Sequence, residues 1–191
     1  MNTNENILIV NCGSQFTQLI ARRLREMKVH SVILNWDADA ANVSSFSPKG
    51  IIISGGPDSV NDPDAITIPS EVNVLMSHGD NVSRLPEGFT ATASTSGEVA
   101  AAFENSSRSL YGLQFHPEVA ATEHGTEILR NFAFDVCGCS GDWDLADWVE
   151  GTVAGIREAV GSERVVCGLS GGVDSSVSAV LVNRAVGENL Q

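Results

Sequence analysis

Residues 7–27 read Ile-Leu-Ile-Val-Asn-Cys-Gly-Ser-Gln-Phe-Thr-Gln-Leu-Ile-Ala-Arg-Arg-Leu-Arg-Glu-Met. The first four form a continuous apolar run of strand length, as expected of a strand covered on both faces. Asn11 to Ser14 supply turn chemistry. Phe16, Leu19, Ile20, Leu24 and Met27 then recur at helical spacing, with Arg22, Arg23 and Arg25 mostly off that face. A buried strand feeding an amphipathic helix is the unit from which parallel sheets are built. The rhythm continues outward. Ser31–Leu34 reads as a second strand, Ile51–Ser54 as a third that ends in Gly55-Gly56-Pro57, and Leu110–Phe115 as a later one that ends in His116-Pro117-Glu118. The expected fold is therefore α/β, a doubly wound and mostly parallel sheet with its chemistry at the strand C-termini.

Composition narrows the classes of function. Eleven Lys and Arg face 24 Asp and Glu in 191 residues, a net charge of −13. Such a surface repels phosphate backbones, which argues against a nucleic-acid-coating protein. No apolar run approaches the roughly 20 residues of a membrane helix, and the polar start Met-Asn-Thr-Asn-Glu-Asn has no secretory pattern. A cytoplasmic location is expected. The four cysteines, at 12, 137, 139 and 167, show no disulfide framework. Cys137-Gly138-Cys139 is one residue tighter than a metal knuckle and has no second pair at finger distance, so no tightly bound metal is expected.

The chain divides by composition near residue 140. Residues 1–139 carry the strand and helix units, and Gly138, Ser140 and Gly141 read as a linker into 140–191. There Asp144 is placed to cap a helix whose Leu145, Trp148, Val149, Val153, Ile156 and Val160 share a face. Val165–Leu169 reads as a strand running into Ser170-Gly171-Gly172-Val173-Asp174-Ser175-Ser176 and a helix to about Ala185. One strand and two helices bury little apolar surface, so this piece is expected to be the start of a larger domain.

On residue chemistry alone the 170–176 loop has two readings. It is either a phosphate cradle at a helix N-terminus or a tight turn in which Asp174 and Ser175 cap the helix. It lacks the Gly-Lys-Ser/Thr of a Walker loop and the spacing of the dinucleotide fingerprint. Its full string resembles the phosphate-binding loop of the ATP pyrophosphatase family. That resemblance implies ATP as substrate, bound with Mg²⁺ through Ser170, Gly171, Gly172, Val173, Asp174, Ser175 and Ser176.

His116 and Glu118, two apart at a strand end, are placed so that the carboxylate orients the imidazole toward a nucleophile. Gln114-Phe115-His116-Pro117-Glu118 resembles the His-Pro-Glu signature of class I glutamine amidotransferases. The opening helix, Ser54-Gly55-Gly56-Pro57, Met76-Ser77-His78-Gly79-Asp80, Thr122-Glu123-His124-Gly125 and Ile128-Leu129-Arg130-Asn131-Phe132 resemble further segments of that domain. The resemblance implies His116 and Glu118 as catalytic residues and Gly55 and Gly56 as the oxyanion loop. An amidotransferase domain joined to this phosphate loop resembles the glutamine-hydrolysing GMP synthase family. It implies ATP-dependent amination of xanthosine monophosphate to GMP with ammonia from glutamine, a carbon–nitrogen ligase of purine biosynthesis whose full-length members form homodimers.

One departure from the family is decisive for the chemistry. Its nucleophilic Cys belongs in a Gly-x-Cys-x-Gly elbow between the Gly-Gly-Pro loop and the Ser-His-Gly-Asp segment, yet residues 58–76 contain no Cys. That interval is also too short for a strand, elbow and helix, and Ile68-Pro69-Ser70-Glu71-Val72-Asn73 reads as the junction of an internal deletion near 68–73. Cys12 follows the first strand without an elbow, and Cys137, Cys139 and Cys167 read as small apolar packing residues. The chain is accordingly expected to be inactive as a glutaminase. The competing expectation is a non-catalytic, amidotransferase-like binding or regulatory subunit.

Overall fold

A computed structural model of the chain describes residues 6–55, 73–76, 82, 84–95 and 100–191. The chain forms two compact units, Met1–Asp142 and Trp143–Gln191. Gly141 belongs with the first, since a side chain there would press on the Phe134 ring, and its φ of +71° suits glycine.

The first unit opens with β1 (Asn6–Asn11), α1 (Thr17–Glu26), β2 (His30–Asn35), α2 (Ala40–Ser45) and β3 (Gly50–Ile53). β1 is central in a three-stranded parallel sheet of order β2-β1-β3, with Ile7 opposite both Ser31 and Gly50. Its central place explains the unbroken apolar run: Ile7, Leu8 and Ile9 are wholly buried, so both faces are covered. α1 lays Ile20, Ala21 and Leu24 against Ile7 and Ile9, and Val29, Ala133 and Cys139 complete that core. Arg22 stays at the surface, paired with Glu26.

A second sheet lies beyond the reach of the strand readings above. β4 (Thr90–Ser94), β5 (Ala100–Asn105) and β6 (Leu110–Leu113) form an antiparallel sheet of order β4-β5-β6. Thr-Ala-Thr-Ala-Ser and Ala-Ala-Ala-Phe-Glu-Asn contain few bulky β-formers, so neither stood out. β5 pairs on both edges and buries Ala101, Phe103 and Asn105 on one face. β6 stops at Leu113, short of the expected Phe115. Phe115 instead packs with Ala101 and Ile128, the latter from α3 (Gly125–Asn131).

The second unit consists mainly of α4 (Leu145–Val160) and α5 (Val173–Val186). Asp144 caps α4 as expected, its carboxylate accepting from the Ala146 amide at 2.7 Å. Arg157 donates to the carbonyls of Ala185 and Arg184 at 3.1 and 3.2 Å, tying α4 to the end of α5, and Arg184 pairs with Glu150. One expectation needs correction here. Val165–Leu169 is not a full strand: Val165 makes one parallel bridge with Leu190, and beyond it the Cys167 amide donates to the Gln191 carbonyl at 2.9 Å. A strand cannot persist without neighbours to take its backbone groups. The shared apolar face of α4 is only partly covered, with Val153 buried but Leu145 59% and Trp148 41% exposed. No helix among the described residues is long and apolar enough to cross a membrane.

Candidate active site

In the first unit the candidate residues lie on the loops that leave β3 and β6, and the loop that leaves β1 is bonded to the first of these. After β1, Asn11 Oδ1 accepts from the Gly13 amide at 3.1 Å and from the Thr17 hydroxyl at 3.0 Å, which shapes the turn into α1. Ser54 follows β3 and is buried; its Oγ lies 3.0 Å from Thr17 Oγ1 and accepts from the Cys12 amide at 3.1 Å. The start of the Gly-Gly-Pro loop is thereby tied to the first turn. Gly55 follows directly, and a side chain there would meet nothing within 4 Å among the described residues. Gly56 and Pro57, the Ser77–Asp80 segment and the junction up to residue 72 lie outside the described residues.

His116 and Glu118 meet. Nδ1 of His116 lies 2.9 Å from Oε1 of Glu118, whose side chain is only 2% exposed. An ionised carboxylate only accepts, so Glu118 takes the hydrogen bond from Nδ1–H of His116 and aims Nε2, the other ring nitrogen, away from itself. The ring edge of Phe16 packs on His116 at 4.7 Å between centroids and an interplanar angle of 63°. Phe16, the residue that leads into α1, thus serves His116, although its spacing placed it with the sheet-packing residues of α1. Beneath the pair, Arg23 Nε donates to the Glu118 carbonyl at 3.0 Å. Its NH1 reaches Glu26 at 3.0 Å, and Arg22 and then Arg23 hold the Glu26 carboxyl below its ordinary range.

The segment Asn73–Met76 laces the far side. Leu75 O accepts from the His116 amide at 3.0 Å and the Leu75 amide donates to Thr122 Oγ1 at 3.0 Å. Glu123 accepts from the Asn73 amide at 2.8 Å and from its side chain, two bonds that lower its carboxyl. Gly125 abuts the carbonyl of Pro117 so closely that no Cβ fits. Reading by residue type missed Phe16, Arg23, Leu75 and Gly125 as parts of this site. Only Gly125 left a signal, a glycine at the start of a helix where nothing else demands one.

No thiol among the described residues is tied to this pair. Cys139 is buried in the α1 core, and Cys137 beside it has its thiol pushed up to about 12 by burial and then by Cys139. Cys12 contributes its amide, to Ser54. Cys167 belongs to the second unit.

In that second unit the 170–176 loop is exposed, and Gly172 starts α5 without any side-chain cap. Within the loop the Ser175 and Ser176 hydroxyls donate to the Gly172 carbonyl at 3.0 and 2.9 Å, and Ser170 Oγ lies 3.0 Å from Ser175 Oγ. Gly171 has a φ of +82°, which glycine adopts without strain. These hydroxyls and the open helix start can meet phosphate oxygens. Asp174 is the loop's single carboxylate, and no group of three or more His, Cys, Asp or Glu suited to a metal exists among the described residues.

The glutamine amidotransferase class-I family model matches residues 8–73 and 63–136, which include every member of the His116 site. The chain belongs to the class I glutamine amidotransferase family. Residues 144–191 of the chain match the NAD synthase family model. Among curated relatives, the glutamine-hydrolyzing GMP synthase of Lactococcus lactis subsp. lactis is 38% identical over 242 residues, covering 98% of this chain and 47% of the relative. That of Acetivibrio thermocellus is 40% identical over 241 residues, with the same two coverages. The chain thus spans about half the length of the curated relatives it matches. The 242 aligned positions exceed the chain's 191 residues by 51, so at least that many positions of the first relative have no counterpart here. A solved GMP synthase component from Thermoplasma acidophilum aligns at TM-score 0.60 and 25% identity, covering 76% of this chain and 96% of its own.

Proposed function

We propose that this chain is the amidotransferase portion and the first ATP-handling segment of a glutamine-hydrolysing GMP synthase. The observation that carries the reading is the buried Glu118 carboxylate 2.9 Å from His116 Nδ1, in a chain that places the 170–176 loop directly after the amidotransferase region. With its proton held toward Glu118, His116 presents Nε2 as a base. That is the group a cysteine nucleophile needs to become a thiolate, attack the glutamine amide and pass a proton to departing ammonia. Gly55, with Gly56, would supply backbone donors to the oxyanion. The amidotransferase half covers residues 1–139, with an internal deletion near 68–73, and the ATP segment covers 140–191.

Loop 170–176 would hold the ATP phosphates, and Asp174 with those phosphates suits Mg²⁺, which binds through one or two carboxylates plus substrate oxygens. Bound there, Mg²⁺ would neutralise phosphate charge while xanthosine monophosphate is adenylated. Ammonia would then displace AMP to give GMP in a cytoplasmic homodimer. With no elbow cysteine in residues 58–76, the chain by itself releases no ammonia from glutamine. The same absence supports a second reading, a non-catalytic binding or regulatory subunit.

Glutaminase assay separates the two. The 191-residue chain should be silent, and a chimera carrying the elbow segment of the Lactococcus lactis relative at 68–73 should release ammonia. In that chimera His116→Asn should abolish release and Glu118→Gln should reduce it by roughly a hundredfold or more, the scale of general base catalysis. A silent but folded chimera would favour the binding subunit, and release by the unaltered chain, lost in Cys12→Ser, would overturn the assignment of the nucleophile.

A further inference from the structure

The His116–Glu118 pair sits on a turn beyond the end of β6, where the His116 amide bonds to the Leu75 carbonyl at 3.0 Å and the regular strand pairing has ended. Loops of this kind are the mobile part of a fold, yet a proton shuttle misplaced by about 1 Å forfeits much of its rate. We propose that α1 is the positioning element of this pair, with Arg23 clamping the Glu118 carbonyl from below and Phe16 fixing the imidazole from the side. The inference rests on the reading of His116 as the proton shuttle and adds the residues that hold it in place.

The clamp follows from the shape of arginine. Nε donates to the Glu118 carbonyl at 3.0 Å while NH1, on another edge of the same plane, donates to Glu26 at 3.0 Å. A rigid guanidinium that joins two acceptors fixes their separation, which a lysine ammonium on a flexible stem does less well. Because Glu26 is one turn from Arg23 on α1, the clamp is referenced to the helix, and the helix to the buried β1 through Ile20 and Leu24. Phe16, at the start of the same helix, sets the ring orientation through its edge contact. All these residues are described and lie outside 56–72, so the positioning element survives whatever the chain lacks in that interval.

The test reads the His116 ring in the full chain labelled with ¹⁵N-histidine. The wild type should show a protected Nδ1–H and an unprotonated Nε2. Arg23→Met, which keeps the stem and removes the donors, should speed exchange of that Nδ1–H with solvent roughly ten- to a hundredfold, the scale of one lost charge-assisted hydrogen bond. Arg23→Lys should recover part of the protection. His30 and His124 are internal controls whose signals stay in place in every folded variant. Unchanged exchange in Arg23→Met, or no recovery in Arg23→Lys, overturns the clamp. If Arg23→Met does not fold, Phe16→Leu decides: faster exchange supports the inference and unchanged exchange overturns it. These readouts use no glutamine, so a silent elbow chimera would defeat the glutaminase reading and leave the clamp standing. The reverse outcome is equally distinguishable.

Discussion

Gly125 and Gly55 are both glycines of family-like motifs, yet their surroundings differ completely. A Cβ on Gly125 would run into the Pro117 carbonyl, which is backbone and cannot swing aside, whereas one on Gly55 would meet nothing within 4 Å among the described residues. Gly125→Ala should therefore cost about 3 kcal/mol in urea denaturation, at the upper end of overpacking, and displace the His116 turn. Gly55→Ala should stay within about 1 kcal/mol; equal costs would refute this account of the close approach. His30 is a second residue with a signed effect. Burial first, and then Arg25, lower its pKa below the ordinary 6.5. The unfolded chain then takes up the His30 proton before the folded one. Its contribution to stability is present above about pH 6.5 and is lost as pH falls through the lowered folded value. Measured across that range, stability of His30→Asn should fall less steeply with acid than that of the wild type, and parallel curves would remove His30 as a cause.

Elements differ in how openly the sequence displays them. β1 is legible because burial on both faces demands an unbroken apolar run, and α1 because one buried face imposes a 3.6-residue period. β4 and β5 are not, since their small residues gain strand structure from pairing with one another and with β6 rather than from intrinsic preference. The reverse holds at Val165–Leu169, where strong β-formers make a single bridge because few backbone partners lie alongside. The site follows the same logic. His116 and Glu118 are two apart in sequence and could be paired by eye. Arg23 lies 95 residues from Glu118 and Leu75 lies 41 from His116, and only the fold brings them together. Local caps remain readable: Asp144 is the one carboxylate that accepts from the first turn of α4. Asp144→Ala should cost about 1 kcal/mol. Amide exchange at residues 145–148 should report it as faster opening, with α5 unaffected; no change at those amides would mean the cap is idle.

At the scale of the whole molecule, apolar burial is divided unequally. Of the buried hydrophobic residues among those described, only Val153 and Ala185 belong to Trp143–Gln191; the rest, including the fully buried Ile7, Leu8, Ile9 and Leu24, belong to the first unit. α5 is apolar around much of its circumference, and Val173, Val177 and Val180 remain exposed along it. A unit of 49 residues buries too small a fraction of its surface to offset chain entropy comfortably. Arg157 on the α5 carbonyls and the Arg184–Glu150 pair join its helices, but exposed ion pairs and single hydrogen bonds add only about 1 kcal/mol apiece. The units should therefore open separately. In native-state hydrogen exchange, amides of α4 and α5 should be protected at least about a hundredfold less than those of β1 and β2, a gap of about 2.7 kcal/mol. Urea should release them in an earlier transition. Arg157→Ala should bring that transition earlier still while leaving the β1 amides unchanged. Equal protection in the two units, or a single transition shared by α4 and β1, would show that they fold as one and that the sparse core of the second unit is supplemented by the first.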